Sequence, residues 1–233
     1  MLRHVKYLLQ AQVECSVVSR MIRFLPLFLV FSLLHSIRAE PEVGAALEGF
    51  NSSDWALVMA DDSVPADQLV RFEDGVLSLY GNAHPKGIYR TQSAYSNYEL
   101  SLQWRWPNEP GNGGVMLHCD PAVTRAAWPK CLEVQLKHGR AGNFRKNGET
   151  IEVEPDRTTT KPFIERLILD AEKPAGAWNT MRVIVRGDSV VVYLNDQLVN
   201  QGDHASASSG FIALQLELAD IQFRGLTLKP LSD

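Results

Sequence analysis

GNGGVMLHCDPAVTRAAWPKCLEVQLKHG, residues 111–139, holds the pattern that decides the fold. Two apolar runs, 114–119 and 131–137, are joined by a polar loop with Pro121 and Pro129 near its ends. That layout predicts two strands and a long connection. The second run alternates strictly: Leu132, Val134 and Leu136 point to one face, Glu133 and Gln135 to the other with Lys137. A carboxylate and an amide side by side on one sheet face, next to a Gly-rich entry loop, suit a ligand rich in hydroxyl groups, which need paired donors and acceptors.

Outward from this stretch the same period recurs. Residues 70–72 and 76–79 flank Asp74-Gly75, a hairpin signal. A short strand is expected over 87–91. Residues 98–106 place Tyr98, Leu100, Leu102, Trp104 and Trp106 on one face, so both tryptophans read as core, and Pro107 stops the strand. Residues 141–161, rich in Gly, Asn, Thr and charge, read as an extended loop with one short strand near 151–153. Residues 165–170 fit a strand or a single helical turn. Strands follow at 180–186, 189–194, 197–199, 211–217 and 221–229. In 211–217, Phe211, Ala213, Gln215 and Glu217 share one side. About a dozen strands with frequent turns and no long helix indicate an all-β sandwich or jelly roll.

The chain has 233 residues, 45% hydrophobic and 21% charged, enough for one domain with a sizeable core. Its first 39 residues read differently. From Met21, MIRFLPLFLVFSLLHSIRA carries a basic residue at Arg23, an apolar run over 24–34 and Ala39 before an expected cut. This is the layout of a secretory signal peptide, with translation starting at Met21. A run of 11 residues broken by Pro26 is too short for a membrane span. The expected organisation is a leader over 1–39 and one β-sandwich over 40–233, exported to the periplasm or beyond the cell. Residues 40–233 carry 18 basic and 26 acidic side chains, net −8. That balance repels phosphate backbones and excludes nucleic acid as a partner.

Cys119 and Cys131 end one expected strand and begin the next. They form either a disulfide closing the intervening loop or two buried thiols. No Cys-x-x-Cys spacing is present, so the sequence supports no metal site and no cofactor is assigned. Trp128, in a Pro-bounded loop, offers a face on which a sugar ring can stack.

Several short segments occur together in one order: Phe50 and Trp55; Gly111-Asn112-Gly113-Gly114; Leu132-Glu133-Val134-Gln135; Gly142-Asn143-Phe144; Ala177-Trp178-Asn179; Leu194-Asn195-Asp196; and Leu214-Gln215 followed by Phe223-Arg224. In this the chain resembles the 3-keto-disaccharide hydrolase domain family from about Phe50 to Leu231. The resemblance implies a concanavalin A-like jelly-roll sandwich of two antiparallel sheets. It also implies a carbohydrate-active protein that takes an oligosaccharide or a glycoside oxidised at sugar C3. The chain departs from the family pattern at Gly113, where a Ser is usual, at Lys137 and His138, where an Asp is frequent, and at Gly225, where an Asn is usual.

A classical glycosidase needs two carboxylates across the scissile bond, and Glu133-Val134-Gln135 has an amide in the second place. A 3-keto sugar relaxes that need, because its carbonyl acidifies the C2 hydrogen and one base suffices for elimination of the C1 substituent. The family resemblance and the polar face together assign Glu133 as base, His138 or His118 as acid, and Arg224 or Lys137 to the oxyanion. Gln135, Asn112, His118, Lys137, Gln215, Glu217 and Trp128 are the expected sugar contacts. The alternative function is a carbohydrate-binding module without catalysis on the same concave face.

Overall fold

In the computed structural model, residues 44–125 and 127–232 are described, and side-chain placement is described for these except 123–125. The expected leader over 1–39, with its signal peptide, lies outside the described residues. In chain order the elements are β1 (Leu47–Glu48), β2 (Trp55–Met59), α1 (Ala66–Leu69), β3 (Val70–Glu73), β4 (Val76–Tyr80), β5 (Gly87–Thr91) and β6 (Tyr98–Arg105). Then come β7 (Gly114–Cys119), β8 (Val123–Arg125), β9 (Trp128–Pro129), β10 (Cys131–Gln135), β11 (Phe144–Asn147) and β12 (Phe163–Ile164). The chain closes with β13 (Asn179–Arg186), β14 (Ser189–Leu194), β15 (Gln197–Gly202), β16 (Phe211–Leu216) and β17 (Asp220–Pro230).

These strands form two antiparallel sheets. The first runs β15-β14-β13-β6-β17-β4-β3, with β1 on the side of β17, and the second runs β12-β11-β10-β7-β16-β5-β2. The β8-β9 ribbon stands apart in the connection between β7 and β10. One hydrophobic core fills the space between the sheets. In β6, inward Tyr98, Leu100, Leu102 and Trp104 are buried while the residues between them are partly exposed. In the second sheet, Val115, Leu117, Leu132, Val134, Phe144, Leu214 and Leu216 face the same core. An all-β sandwich therefore follows directly from period-2 burial.

Three segments differ from the sequence expectation. The loop expected over 141–161 contains β11, whose sequence FRKN has no apolar alternation because it lies near the sheet edge with its polar side chains outward. Ile151 and Val153 are buried, yet only single bridges hold that segment, such as Glu152 to Asp203. Residues 165–170 form neither a strand nor a helix. Buried Arg166 shapes them instead: its guanidinium donates to the carbonyls of Ala141 at 2.6 Å, Gly139 at 3.1 Å and also Leu169. Those bonds hold the 139–141 turn that borders the site below.

Among the described residues no helix is long and apolar enough to cross a membrane.

Candidate functional site

The outer face of the second sheet is built in cross-strand rows. Gln135 lies opposite Gly114 on β7, and Gly114 leads across to Gln215 on β16, which pairs with Ile88. One step along, Glu133 pairs with Met116, Met116 with Ala213 and Ala213 with Arg90. Positions 133 and 135 are thus two strands away from 215, and the strand between contributes a glycine. That glycine is needed. A Cβ on Gly114 would lie 2.7 Å from Glu133 Oε1 and 2.9 Å from its Cγ, so the carboxyl group occupies the space a side chain there would fill.

Glu133 is 0% exposed. Its Oε2 accepts from Asn147 Nδ2 at 2.8 Å and from Arg145 at 3.1 Å, and its Oε1 accepts from Gln135 Nε2 at 3.1 Å. The backbone fixes Gln135 in turn, because its Oε1 accepts from the amides of Leu136 at 3.0 Å and Lys137 at 2.8 Å. Only the amino end is then left to face Glu133. Burial raises the Glu133 pKa above the ordinary carboxylate value, Arg145 and Asn147 pull it back, and the nearby charge of Glu217 raises it again.

That last interaction supplies the second carboxylate that the Glu-x-Gln motif lacks. Glu217 stands just past β16. Its Oε1 lies 2.5 Å from Lys86 Nζ, and its Oε2 accepts from Asn112 at 2.7 Å and Gln215 at 3.0 Å. Asn112 is also its backbone bridge partner. Gln215 Oε1 is buried with no hydrogen-bond partner among the described residues.

Over this floor lies a cleft of about 310 Å³ lined by Lys86, Asn112, Gln135, Lys137, Arg140, Arg145 and Glu217, with Trp128, Phe163 and Leu218 as apolar walls. A second hollow of about 520 Å³ lies against it, sharing Trp128 and Arg145 and adding Lys130, Lys146 and Asn147. Leu218 is 67% exposed and has a left-handed backbone, φ +62°, which turns it out of the strand alternation onto the cleft wall.

Of the residues expected from the sequence, Asn112, Gln135, Lys137, Glu217 and Trp128 line this cleft, and Glu133 and Gln215 belong to the polar network beneath it. Three others do not. His118 faces the core: its ring meets Tyr98 edge-on at 5.7 Å, and its Nδ1 donates to the Ala207 carbonyl at 2.9 Å. The cause is a bulge. Ala213 pairs with Met116 but Phe211 pairs with Cys119, so β7 carries an extra residue, and His118 absorbs it at φ +52°. Gly210 makes room, since a Cβ there would lie 2.5 Å from the His118 carbonyl carbon.

Arg224 belongs to the first sheet, where it bonds Gln103 at 2.7 Å and lies 4.1 Å over the Trp178 ring. It therefore stands on the far side of the sandwich from Glu133. His138 follows β10 and is held by Glu172 at 3.0 Å, outside the lining of both hollows. Cys119 and Cys131 are free, buried and hydrogen-bonded to each other, and burial pushes the Cys119 thiol well up. With Met116, Ile88 and Ala213 they form a small apolar cluster on the outer face against which Trp128 packs.

Lys86, Arg140, Arg145 and Asn147 escaped sequence reasoning. Each lies in a turn or in the segment read as a loop, and nothing in a single sequence says that such a residue overhangs a particular strand. Among the described residues no group of three or more His, Cys, Asp or Glu side chains is placed to hold a metal.

The sequence pattern of the 3-keto-alpha-glucoside-1,2-lyase-like domain matches residues 44–229. The chain belongs to this family. Members of the concanavalin A-like group share its shape at low identity. A Parabacteroides distasonis protein described as a candidate glycosyl hydrolase superposes with TM-score 0.58 at 20% identity, covering 81% of this chain and 100% of its own. The carbohydrate-binding module CBM66 of Bacillus subtilis gives 0.54 at 14%, covering 77% and 99%. The Bacillus licheniformis β-glucanase gives 0.55 at 10%, covering 81% and 99%. No protein of curated function matches the chain. As a member of the lyase-like family the chain has a carbohydrate-active or carbohydrate-binding character, and its fold is that of jelly-roll glucanases and binding modules.

Proposed function

We propose that this protein is exported and cleaves glycosides already oxidised at sugar C3, using the cleft on the outer face of the second sheet. The observation that carries this reading is the pair Glu133 and Glu217, close enough to interact by charge and each held by its own set of amides and a cation, Glu133 by Gln135, Asn147 and Arg145 and Glu217 by Gln215, Asn112 and Lys86. The family to which the chain belongs points to the same chemistry.

A carboxylate takes the proton from C2, which the neighbouring carbonyl acidifies, and the electron pair moves onto the C3 oxygen as an enolate. When it returns, a C1=C2 double bond forms, and the C1 oxygen leaves with its electron pair and takes up a proton. Water then adds across the double bond, so the sum is hydrolysis. Glu217 suits the role of base, because its carboxylate lines the cleft whereas Glu133 has no solvent contact. Lys86, 2.5 Å from Glu217, is placed to balance charge on the enolate oxygen. Glu133 is then a positioning residue. It holds Arg145, whose guanidinium borders both hollows.

A second reading, binding without cleavage, is favoured by one observation: every oxygen of both carboxylates already accepts a hydrogen bond or faces a cation. Incubation with a 3-keto disaccharide and with its unoxidised parent separates the two. The enzyme releases the second sugar from the oxidised compound alone, and Glu217→Gln loses about 10²-fold or more of that rate. Saturable binding of both compounds with release from neither establishes the binder.

A further inference from the structure

The cleft differs in charge from the surface around it. Residues 40–233 are net acidic by eight charges, yet the cleft lining holds four cations, Lys86, Lys137, Arg140 and Arg145, and one carboxylate, Glu217. The adjoining hollow adds Lys130 and Lys146 and no carboxylate.

Internal pairing accounts for part of this. Lys86 faces Glu217 at 2.5 Å, Arg145 faces Glu133 at 3.1 Å, and Lys130 faces Glu149 at 3.0 Å. Lys137 and Arg140 are not explained in this way. Both are exposed at the cleft, and among the described residues neither side chain has an ion-pair or hydrogen-bond partner. The turn that carries them is held in place, with Gln135 Oε1 accepting from the Lys137 amide and Arg166 donating to the carbonyls of Gly139 and Ala141. Two unneutralised cations on a fixed turn beside a carboxylate and amide floor select a ligand with both hydroxyl and anionic groups.

We propose that the cleft takes an acidic glycan, an oligosaccharide bearing carboxylate or sulfate groups, with its charge against Lys137 and Arg140. This rests on the reading of the cleft as a sugar site and adds the class of sugar. Trp128 and Arg145 border both hollows, so a second acidic unit would pass between them toward Lys130 and Lys146.

The test uses the full chain and unoxidised ligands, so that it does not depend on turnover. Calorimetry at low salt compares a uronic-acid oligosaccharide, a sulfated oligosaccharide and a neutral one of equal length. At least one acidic ligand binds about tenfold more tightly than the neutral one, an advantage sized for two partly enclosed ion pairs. The advantage collapses in about 0.5 M salt. The two acidic arms tell carboxylate from sulfate. The double variant Lys137→Gln, Arg140→Gln keeps the thermal midpoint of the parent and brings the acidic and neutral affinities together. Neutral and acidic ligands binding equally well would overturn the proposal and leave the sugar site standing, as would a double variant that keeps the preference. Failure of all three ligands to bind would overturn the proposal, and the sugar site itself falls only if the 3-keto disaccharide also fails to bind.

Discussion

Replacing Gly114 by Ala tests the central piece of geometry with one methyl group. Its Cβ would lie 2.9 Å from Glu133 Cγ and 3.0 Å from Cδ, so no small torsion of the carboxyl end relieves the contact. The whole side chain must swing away from Asn147, Arg145 and Gln135. Overpacking of this kind costs roughly 1–3 kcal/mol, and losing bonds to a buried charged group adds about 1.5 kcal/mol or more. The expected loss is about 3 kcal/mol, which for a domain of this size lowers the melting midpoint by about 6–12 °C. Denaturant titration of four proteins closes the argument: the parent, Gly114→Ala, Glu133→Ala and the double variant. In the Glu133→Ala background the methyl group has nothing to strike, so Gly114→Ala should cost under about 1 kcal/mol, a coupling of about 2 kcal/mol. An equal cost in both backgrounds, or no cost in the parent, would refute the placement of Glu133 over Gly114.

Other consequences follow from the same contacts. Arg145→Ala leaves Glu133 buried without its cation and should cost roughly 3 kcal/mol near neutral pH. Burial raises the Glu133 pKa in the folded state, so this deficit grows as pH rises through and above the usual carboxylate range and shrinks below it, where Glu133 is protonated in folded and unfolded chains alike. Melting curves from pH 4 to 8 check the direction. His118 behaves in the opposite sense: burial depresses its pKa, so the neutral ring contributes stability that is present above the ordinary imidazole value and lost as pH falls through the folded one. A His118→Phe variant should lose this acid-limb dependence below about pH 6.5, whatever its stability at pH 8. Arg224→Ala removes the contact with Trp178 and should cost about 1 kcal/mol while leaving sugar affinity unchanged. A loss of affinity in that variant would place the site on the other sheet.

The fold was legible because alternation on a sandwich strand is set by burial, and strands as regular as 98–106 and 131–135 leave little choice of face. The polar floor was legible for the same reason, since Glu133 and Gln135 interrupt an aliphatic period and Gln215 with Glu217 repeats it. A period-2 reading fails where a residue is added. At His118 the bulge reverses the face, so a histidine beside the apparent site is a core histidine. Alternation also does not say which sheet a strand joins, and Arg224 on β17 therefore looked equivalent to residues on β16. Arg145 and Asn147 lie on a strand too polar to be recognised as one, yet they make two of the three side-chain bonds to Glu133. Sequence could propose two cysteines in reach of each other, and the structure shows them as neighbouring thiols under Trp128.

A crystal structure of the protein with a bound oligosaccharide would locate the sugar on one sheet or the other. The expected position is a sugar ring over Gly114 on the outer face of the second sheet, between Trp128 and Glu217 and within hydrogen-bond reach of Lys86 or Asn112. A ring bound on the outer face of the first sheet, beside Trp178 and Arg224, would contradict it.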